Sequence, residues 1–194
     1  KSILIAKFLV SRTGYTGELG YEIYTEPQYL LRLSEAIEEA GEDLGLRWYG
    51  ARALMSMRLE KNWGAWTLDF RPDFTAAESG LDIFINWDKD FVGKEAALAE
   101  KAAGPTKRLV TMVVETDDID VSNDEAVLKD GEAVGYVSSG GYAHHVGKSV
   151  ALGYVPTALA NVGSKVDIEI NGEVYPAEII GEPLYDSNGG RMRS

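Results

Sequence analysis

The chain has 194 residues, 45% of them hydrophobic, which is enough apolar mass for one large domain or two small ones. Its 31 acidic and 19 basic residues give a formal net charge of -12, which argues against a general nucleic-acid binder and against adhesion to anionic membranes, since both need a basic surface. Cysteine is absent, so disulfides, thiolate nucleophiles and Cys-based metal sites are excluded, and the absence fits a reducing compartment.

No apolar run approaches the roughly 18 residues that a membrane helix needs, and no signal-peptide pattern is present. The chain opens on Lys1 and runs directly into an apolar stretch, so it is expected to be a piece of a longer polypeptide. Residues 3–10 are β-prone, with Lys7 as their one charged interruption, and residues 21–24 are β-prone again. Between them lies a loop with Gly14, Gly17 and Gly20 at three-residue spacing, so the unit reads as strand, loop, strand. Thr25-Glu26-Pro27 suits a helix start, and Leu30, Leu31, Leu33, Ala36, Ile37 and Ala40 follow at helical spacing up to Gly41. Residues 44–50 read as a connection with some strand character, and residues 51–61 as a second helix. Residues 62–79 lack periodicity but hold Trp63, Trp66, Phe70 and Phe74, and they read as an ordered loop whose rings most often anchor it to the core and less often wall a ligand. Residues 81–87 are a strand candidate, and residues 93–102 a short helix that Ala103-Gly104-Pro105 ends.

That punctuation sets a domain boundary, with residues 1–104 before it and 105–194 after it. Beyond it the pattern changes to short strands and turns. Residues 107–115 alternate, and Asp130-Gly131 and Asn171-Gly172 are hairpin turn pairs. Residues 133–138, 149–155, 166–170 and 173–177 are the other strands, with Asp167 and Glu169 marking a wet face opposite Val166, Ile168 and Ile170. The expected fold class is α+β, a mixed sheet with helices followed by a small β-barrel.

Several motifs fail on inspection. Gly147-Lys148-Ser149 has Tyr142 where a phosphate loop requires glycine. His144-His145 has no third ligand at metal-binding spacing and reads as a polar loop, so no metal site is expected. The glycine spacing does not match a dinucleotide fingerprint, and the acidic run 115–125 lacks the glycine and terminal glutamate of an EF-hand.

The remaining motif is Ser11-Arg12-Thr13-Gly14-Tyr15-Thr16-Gly17-Glu18, with Tyr21 and Glu22 beyond it. A glycine-shaped loop that carries phenols and carboxylates suits a flat heterocycle, although a hairpin with solvated carboxylates has the same composition. The same residues resemble the signature of the glycine cleavage T-protein family of tetrahydrofolate-dependent aminomethyltransferases. Within that family the chain is most similar to the folate-binding C-terminal portion of dimethylglycine and sarcosine dehydrogenases. The resemblance continues through Met57-Arg58-Leu59-Glu60-Lys61, Phe91-Val92-Gly93-Lys94-Glu95-Ala96, Gly135 to Gly141, Ala151 to Pro156 and Gly181-Glu182-Pro183-Leu184-Tyr185-Asp186.

The resemblance implies a T-protein-like folate-binding fold with a C-terminal barrel, and tetrahydrofolate as cofactor. It makes Glu22 the carboxylate that pairs with the polar edge of the pterin, as a carboxylate accepts paired N–H bonds from arginine. Tyr15 and Tyr21 are stacking or hydrogen-bonding candidates, Arg108 meets the folate tail, and Glu18 holds the loop. The aspartate that assists one-carbon transfer belongs to the family's N-terminal half, outside this chain, so the fragment alone is expected to be inactive. Flavin, if the parent protein carries it, lies in an upstream domain. The implied partners are a small N-methylated amine such as dimethylglycine or sarcosine, the missing half and an upstream oxidoreductase domain, in the cytoplasm or the mitochondrial matrix. Leu54-Met55 stands where folate-binding T-proteins carry Arg-Asp, and Ile83, beside Phe84, stands where they carry tryptophan. A demethylase for another methylated substrate and a non-catalytic folate-sensing or scaffolding module are the alternative functions.

Overall fold

A computed structural model describes residues 7–193. Part of the first strand candidate, residues 3–6, lies outside the described residues. The described chain begins with a short antiparallel ribbon, β1 (Leu9–Ser11) with β2 (Glu22–Tyr24), in register Leu9 opposite Tyr24 and Ser11 opposite Glu22. The glycine loop connects the two. One 3-10 turn over Pro27–Tyr29 starts α1 (Leu30–Gly41), a second over Glu42–Leu44 ends it, and Gly45 turns the chain at φ 73°. The connection to α2 (Ala51–Glu60) forms no strand, contrary to the strand character expected of residues 44–50.

Residues 62–79 form an ordered, irregular loop, as expected. The strand expected over residues 81–87 is absent. Asp82–Phe84 is a 3-10 turn, in which the Phe84 N–H donates to Leu81 O (3.0 Å) and the Ile85 N–H to Asp82 O (3.1 Å). The apolar alternation there has no neighbouring strand to pair with, and local turn hydrogen bonds take the backbone groups instead. Helix α3 (Lys94–Ala103) then leads to Gly104.

The rest is a closed six-stranded antiparallel barrel. Its strands are β3 (Lys107–Val114), β4 (Ala126–Lys129), β5 (Glu132–Ala143), β6 (Lys148–Pro156), β7 (Lys165–Ile170) and β8 (Glu173–Ile180), ordered β3-β6-β5-β4-β7-β8 and closed by β8 on β3. Closure leaves no free sheet edge. Asp130 (φ 54°) with Gly131 (φ 83°), and Asn171 (φ 52°) with Gly172 (φ 86°), make the two tight hairpin turns. Alternating inward residues fill the interior: Val110, Met112 and Val114 from β3, Val166, Ile168 and Ile170 from β7, and Ala177 and Ile179 from β8.

Residues 7–104 are held to the barrel by polar contacts. Of the buried hydrophobic side chains, only Leu59 comes from this part, whereas Arg58, Glu60, Lys61, Asp69 and Ser79 are all buried. The Asp69 carboxylate accepts from Arg58 (2.8 Å), the Ala65 N–H (2.7 Å), Ser139 (2.6 Å) and Ser138. Its backbone carbonyl accepts from the Tyr154 hydroxyl (2.8 Å), which also bonds Ser79. Phe74 stacks on Tyr154 with ring centroids 3.5 Å apart, so this ring is the anchor the sequence suggested.

Candidate functional site

A cavity of about 750 Å³ opens between the glycine loop, the aromatic loop and the outside of the barrel. That size matches sites that enclose an organic molecule, as does a wall that is mostly apolar. Tyr15 from the glycine loop and Asn62, Trp63 and Phe70 from the aromatic loop line it, and Leu109, Thr111 and Ile180 add the strand side. Tyr15 is fixed twice. Its hydroxyl donates to Gly64 O at 2.6 Å, and its ring stacks on Trp63 with centroids 6.0 Å apart. Burial pushes its phenol above the ordinary value, outweighing the opposing effect of Arg58, so it remains a neutral donor. Gly64 lets Phe70 close the wall, since a Cβ there would sit 2.5 Å from the Phe70 ring.

Two polar groups on the wall have spare capacity. The Asn62 Oδ1 is buried without a hydrogen-bond donor, and Asn62 sits at φ 56°. Arg108, exposed at the start of β3, lines the cavity and makes no ion pair among the described residues. Ile83 and Phe84, each 78% exposed, form an apolar lip.

The structure therefore brings two of the four sequence-derived site residues, Tyr15 and Arg108, onto one cavity. Tyr21 and Glu22 stand on the ribbon outside its wall. Tyr21 is solvent-exposed, and Glu22 is exposed and accepts a hydrogen bond from the Tyr24 hydroxyl. Trp63 and Phe70 line the cavity, so for these two rings the structure favours the less common of the two readings, a wall, while Trp63 also ties Tyr15 down by stacking. The signal was present in the aromatic cluster, but nothing in the sequence told wall from anchor. Glu18 holds the loop, as expected, though through side chains far along the chain. It accepts from Tyr185 (2.7 Å) and from Arg191 Nε (2.8 Å to each carboxylate oxygen). His144 and His145 lie in the turn between β5 and β6, and no group of metal-ligating side chains occurs among the described residues.

Residues 2–89 match the GCVT N-terminal domain family, and residues 107–186 match the glycine cleavage T-protein C-terminal barrel domain. The chain belongs to the glycine cleavage T-protein family. This T-protein-family chain is 40% identical over 197 residues to mitochondrial dimethylglycine dehydrogenase of Homo sapiens, covering 100% of the chain and 23% of that protein. It is 36% identical over 182 residues to the aminomethyltransferase of Desulfitobacterium hafniense (strain DSM 10664 / DCB-2), covering 93% of the chain and 50% of the relative. The crystal structure of glycine cleavage system aminomethyltransferase T from Bartonella henselae superposes with a TM-score of 0.84 at 28% identity, over 93% of this chain and 50% of that one. The chain thus spans about a quarter to a half of the length of these relatives, and its family is one of aminomethyltransferases and folate-dependent transfer, with dimethylglycine dehydrogenases among its relatives.

The family uses tetrahydrofolate, and the residues present fit a group of that kind. The cavity offers stacked aromatic walls for flat rings, an unpartnered amide acceptor at Asn62 and a cation at Arg108 suited to a carboxylate tail. No helix among the described residues is long and apolar enough to cross a membrane.

Proposed function

We propose that this chain supplies the tetrahydrofolate-binding part of an enzyme that moves a one-carbon unit from an N-methylated amine, such as dimethylglycine or sarcosine, to the folate. The observation that carries this reading is the cavity that joins Tyr15 of the family signature to Arg108 of the barrel. Tyr15, with Trp63 behind it, faces the flat part of the cofactor, and Arg108 meets its anionic end. Glu22 serves as the carboxylate for the pterin edge, with Tyr21 beside it, which places the pterin against the ribbon in the full-length protein. Support for this role is that Glu22 is exposed and, among the described residues, has only a local side-chain partner, Tyr24. The aspartate that assists the transfer comes from a segment outside this chain, so the 194 residues alone bind but do not turn over. The rest of the polypeptide packs on the exposed apolar side of residues 7–104, and flavin, where present, belongs to an upstream oxidoreductase domain. The compartment is the cytoplasm or the mitochondrial matrix, in keeping with the absence of cysteine.

Calorimetric titration of the full-length protein with a stable reduced folate tests the reading. Glu22→Gln removes the charge from a charge-assisted pair and is expected to weaken binding by about ten- to a hundredfold. Arg108→Ala is expected to weaken it by about tenfold, with the loss shrinking at high salt. Wild-type protein that binds no folate overturns the proposal and leaves a non-catalytic module, or a cavity rebuilt around Ile83 and Met55 for another methylated substrate.

A further inference from the structure

The glycine loop is tied down in an unusual way. Among the described residues, no backbone–backbone hydrogen bond joins residues 12–20 to the rest of the chain. Side chains do that work. Tyr15 reaches Gly64, Glu18 reaches Tyr185 and Arg191, and Arg12 donates to Met192 O at 3.4 Å. Every one of these ties except that of Tyr15 runs to the last residues of the chain.

That last segment is itself anchored on the body of the molecule. The Tyr185 ring stacks on His145 with centroids 4.2 Å apart, and the Tyr185 N–H donates to Glu60 O at 3.3 Å. The His145 backbone N–H and Nδ1 both lie 2.6 Å from the buried Glu60 carboxylate. Asp186 takes the buried Lys61 ammonium at 3.3 Å, together with the N–H groups of Gly190 (2.9 Å) and Arg191 (3.3 Å). Lys61 also presses on the loop from below. Gly17 has φ 78°, and a Cβ there would fall 2.6 Å from Lys61 Cγ. The charged end of one residue therefore holds the tail while its aliphatic stem seats the loop.

We infer that residues 185–193 form a strap that fixes the glycine loop, and that Glu18, Tyr185 and Arg191 are positioning residues which keep Tyr15 against the cavity. Residues 187–193 lie beyond the stretch that matches the barrel family. The Glu18–Arg191 pair is partly exposed, 32% and 61% at the two side chains, so it adds little to global stability. Its effect is local, because the loop has so few other ties. The inference rests on the folate reading for its consequence, but the hold of the strap on the loop stands on geometry alone.

The test uses the full-length protein with Arg191→Ala, Tyr185→Phe and Arg191→Lys. Hydrogen exchange of peptides spanning residues 9–24, whose paired ribbon amides bracket the loop, reads how firmly the loop is held, and titration with 5-formyltetrahydrofolate reads the cavity. Arg191→Ala is expected to speed exchange in that peptide by about tenfold, with exchange in the barrel strands unchanged. It is expected to weaken folate binding by about three- to tenfold, raising KM and leaving kcat alone. Arg191→Lys recovers part of both effects, because it keeps the charge but not the planar donor set. Wild-type exchange in Arg191→Ala overturns the strap, and faster exchange with unchanged affinity overturns its positioning role. If wild-type protein binds no folate, the folate reading has failed, and exchange alone decides the strap, upheld by loosening and overturned by its absence.

Discussion

Asp69 shows how much a single buried residue carries here. It is fully buried, and its carboxylate is shared by Arg58, Ser138, Ser139 and the Ala65 N–H. Asp69→Ala removes the one counter-charge, among the described residues, of a guanidinium that is itself 1% exposed, and orphans the Ser139 hydroxyl and the Ala65 N–H, while Ser138 keeps Leu152 O (3.2 Å). It is expected to destabilise the protein by about 3–5 kcal/mol in urea unfolding, with a much smaller change for an exposed acid such as Asp88→Ala. An Asp69→Ala protein within about 1 kcal/mol of wild type shows that the pair contributes little at the junction. The sequence displayed Met57-Arg58-Leu59-Glu60-Lys61 as a shared motif but not its role. Charged residues on a helix are read as facing water by default. Here three of them turn inward, because their partners are Asp69, His145 and Asp186, distant in sequence. Tyr15, which stands in the family signature, and Arg108, which the resemblance gives as a basic residue, both line the cavity. Asn62 and Phe70 were not legible as wall residues, because a wall residue is defined by what stands opposite it.

Elements were legible in proportion to how local their causes are. Helices α1, α2 and α3 and both hairpin turns follow from periodicity and turn chemistry within a few residues. The turn at Asp82–Phe84 was misread because strand propensity has no effect without a neighbour to pair with. The strap could not be seen at all, since its role depends on Glu18 more than 160 residues away. It has a testable acid dependence. Burial works against the charge on Glu18, but the hydrogen bonds from Tyr185 and Arg191 outweigh it and hold the carboxyl below its ordinary range. Burial likewise opposes the charge on Asp186, and the N–H groups of Arg191 and Gly190, together with Lys61, hold that carboxyl down. With native pKa values below the unfolded ones, the unfolded chain takes up protons first as pH falls. The strap's contribution is therefore full above the unfolded carboxylate range and is lost as pH drops through the native values. Exchange protection of the ribbon amides in residues 9–24, corrected for intrinsic rates, is expected to hold constant from about pH 8 to 5 and to fall below about pH 4. Glu18→Gln should start from lower protection and lose most of that dependence. Protection in wild type that stays flat down to pH 3 refutes the linkage.

The whole molecule divides its core unequally, and this bears on the boundary at residue 104. The barrel encloses a cluster of Val, Ile, Met and Ala side chains drawn from its strands and from Val121, and it has no open edge. Residues 7–104 bury a single hydrophobic side chain, Leu59, and leave Leu31, Leu44, Trp48, Trp66 and Val92 largely in water. An exposed apolar surface of this kind is what a partner element covers, and the relatives of this chain are two to four times as long. A closed barrel with its own core resists local opening, whereas a part held by polar contacts at one face opens at low cost. Brief subtilisin digestion of the 194-residue chain is therefore expected to leave a fragment that begins near residue 105, outlasting residues 7–104 by about tenfold or more. On the proposed packing of the rest of the polypeptide against this apolar side, the same bonds in residues 7–104 are expected to be protected in the full-length protein. Equal persistence of both parts in the 194-residue chain, or first cleavage at the barrel hairpins Asp130-Gly131 and Asn171-Gly172, would place the boundary elsewhere. Equal cleavage of residues 7–104 with and without the rest of the polypeptide would show that the exposed aromatics face solvent in the intact protein as well.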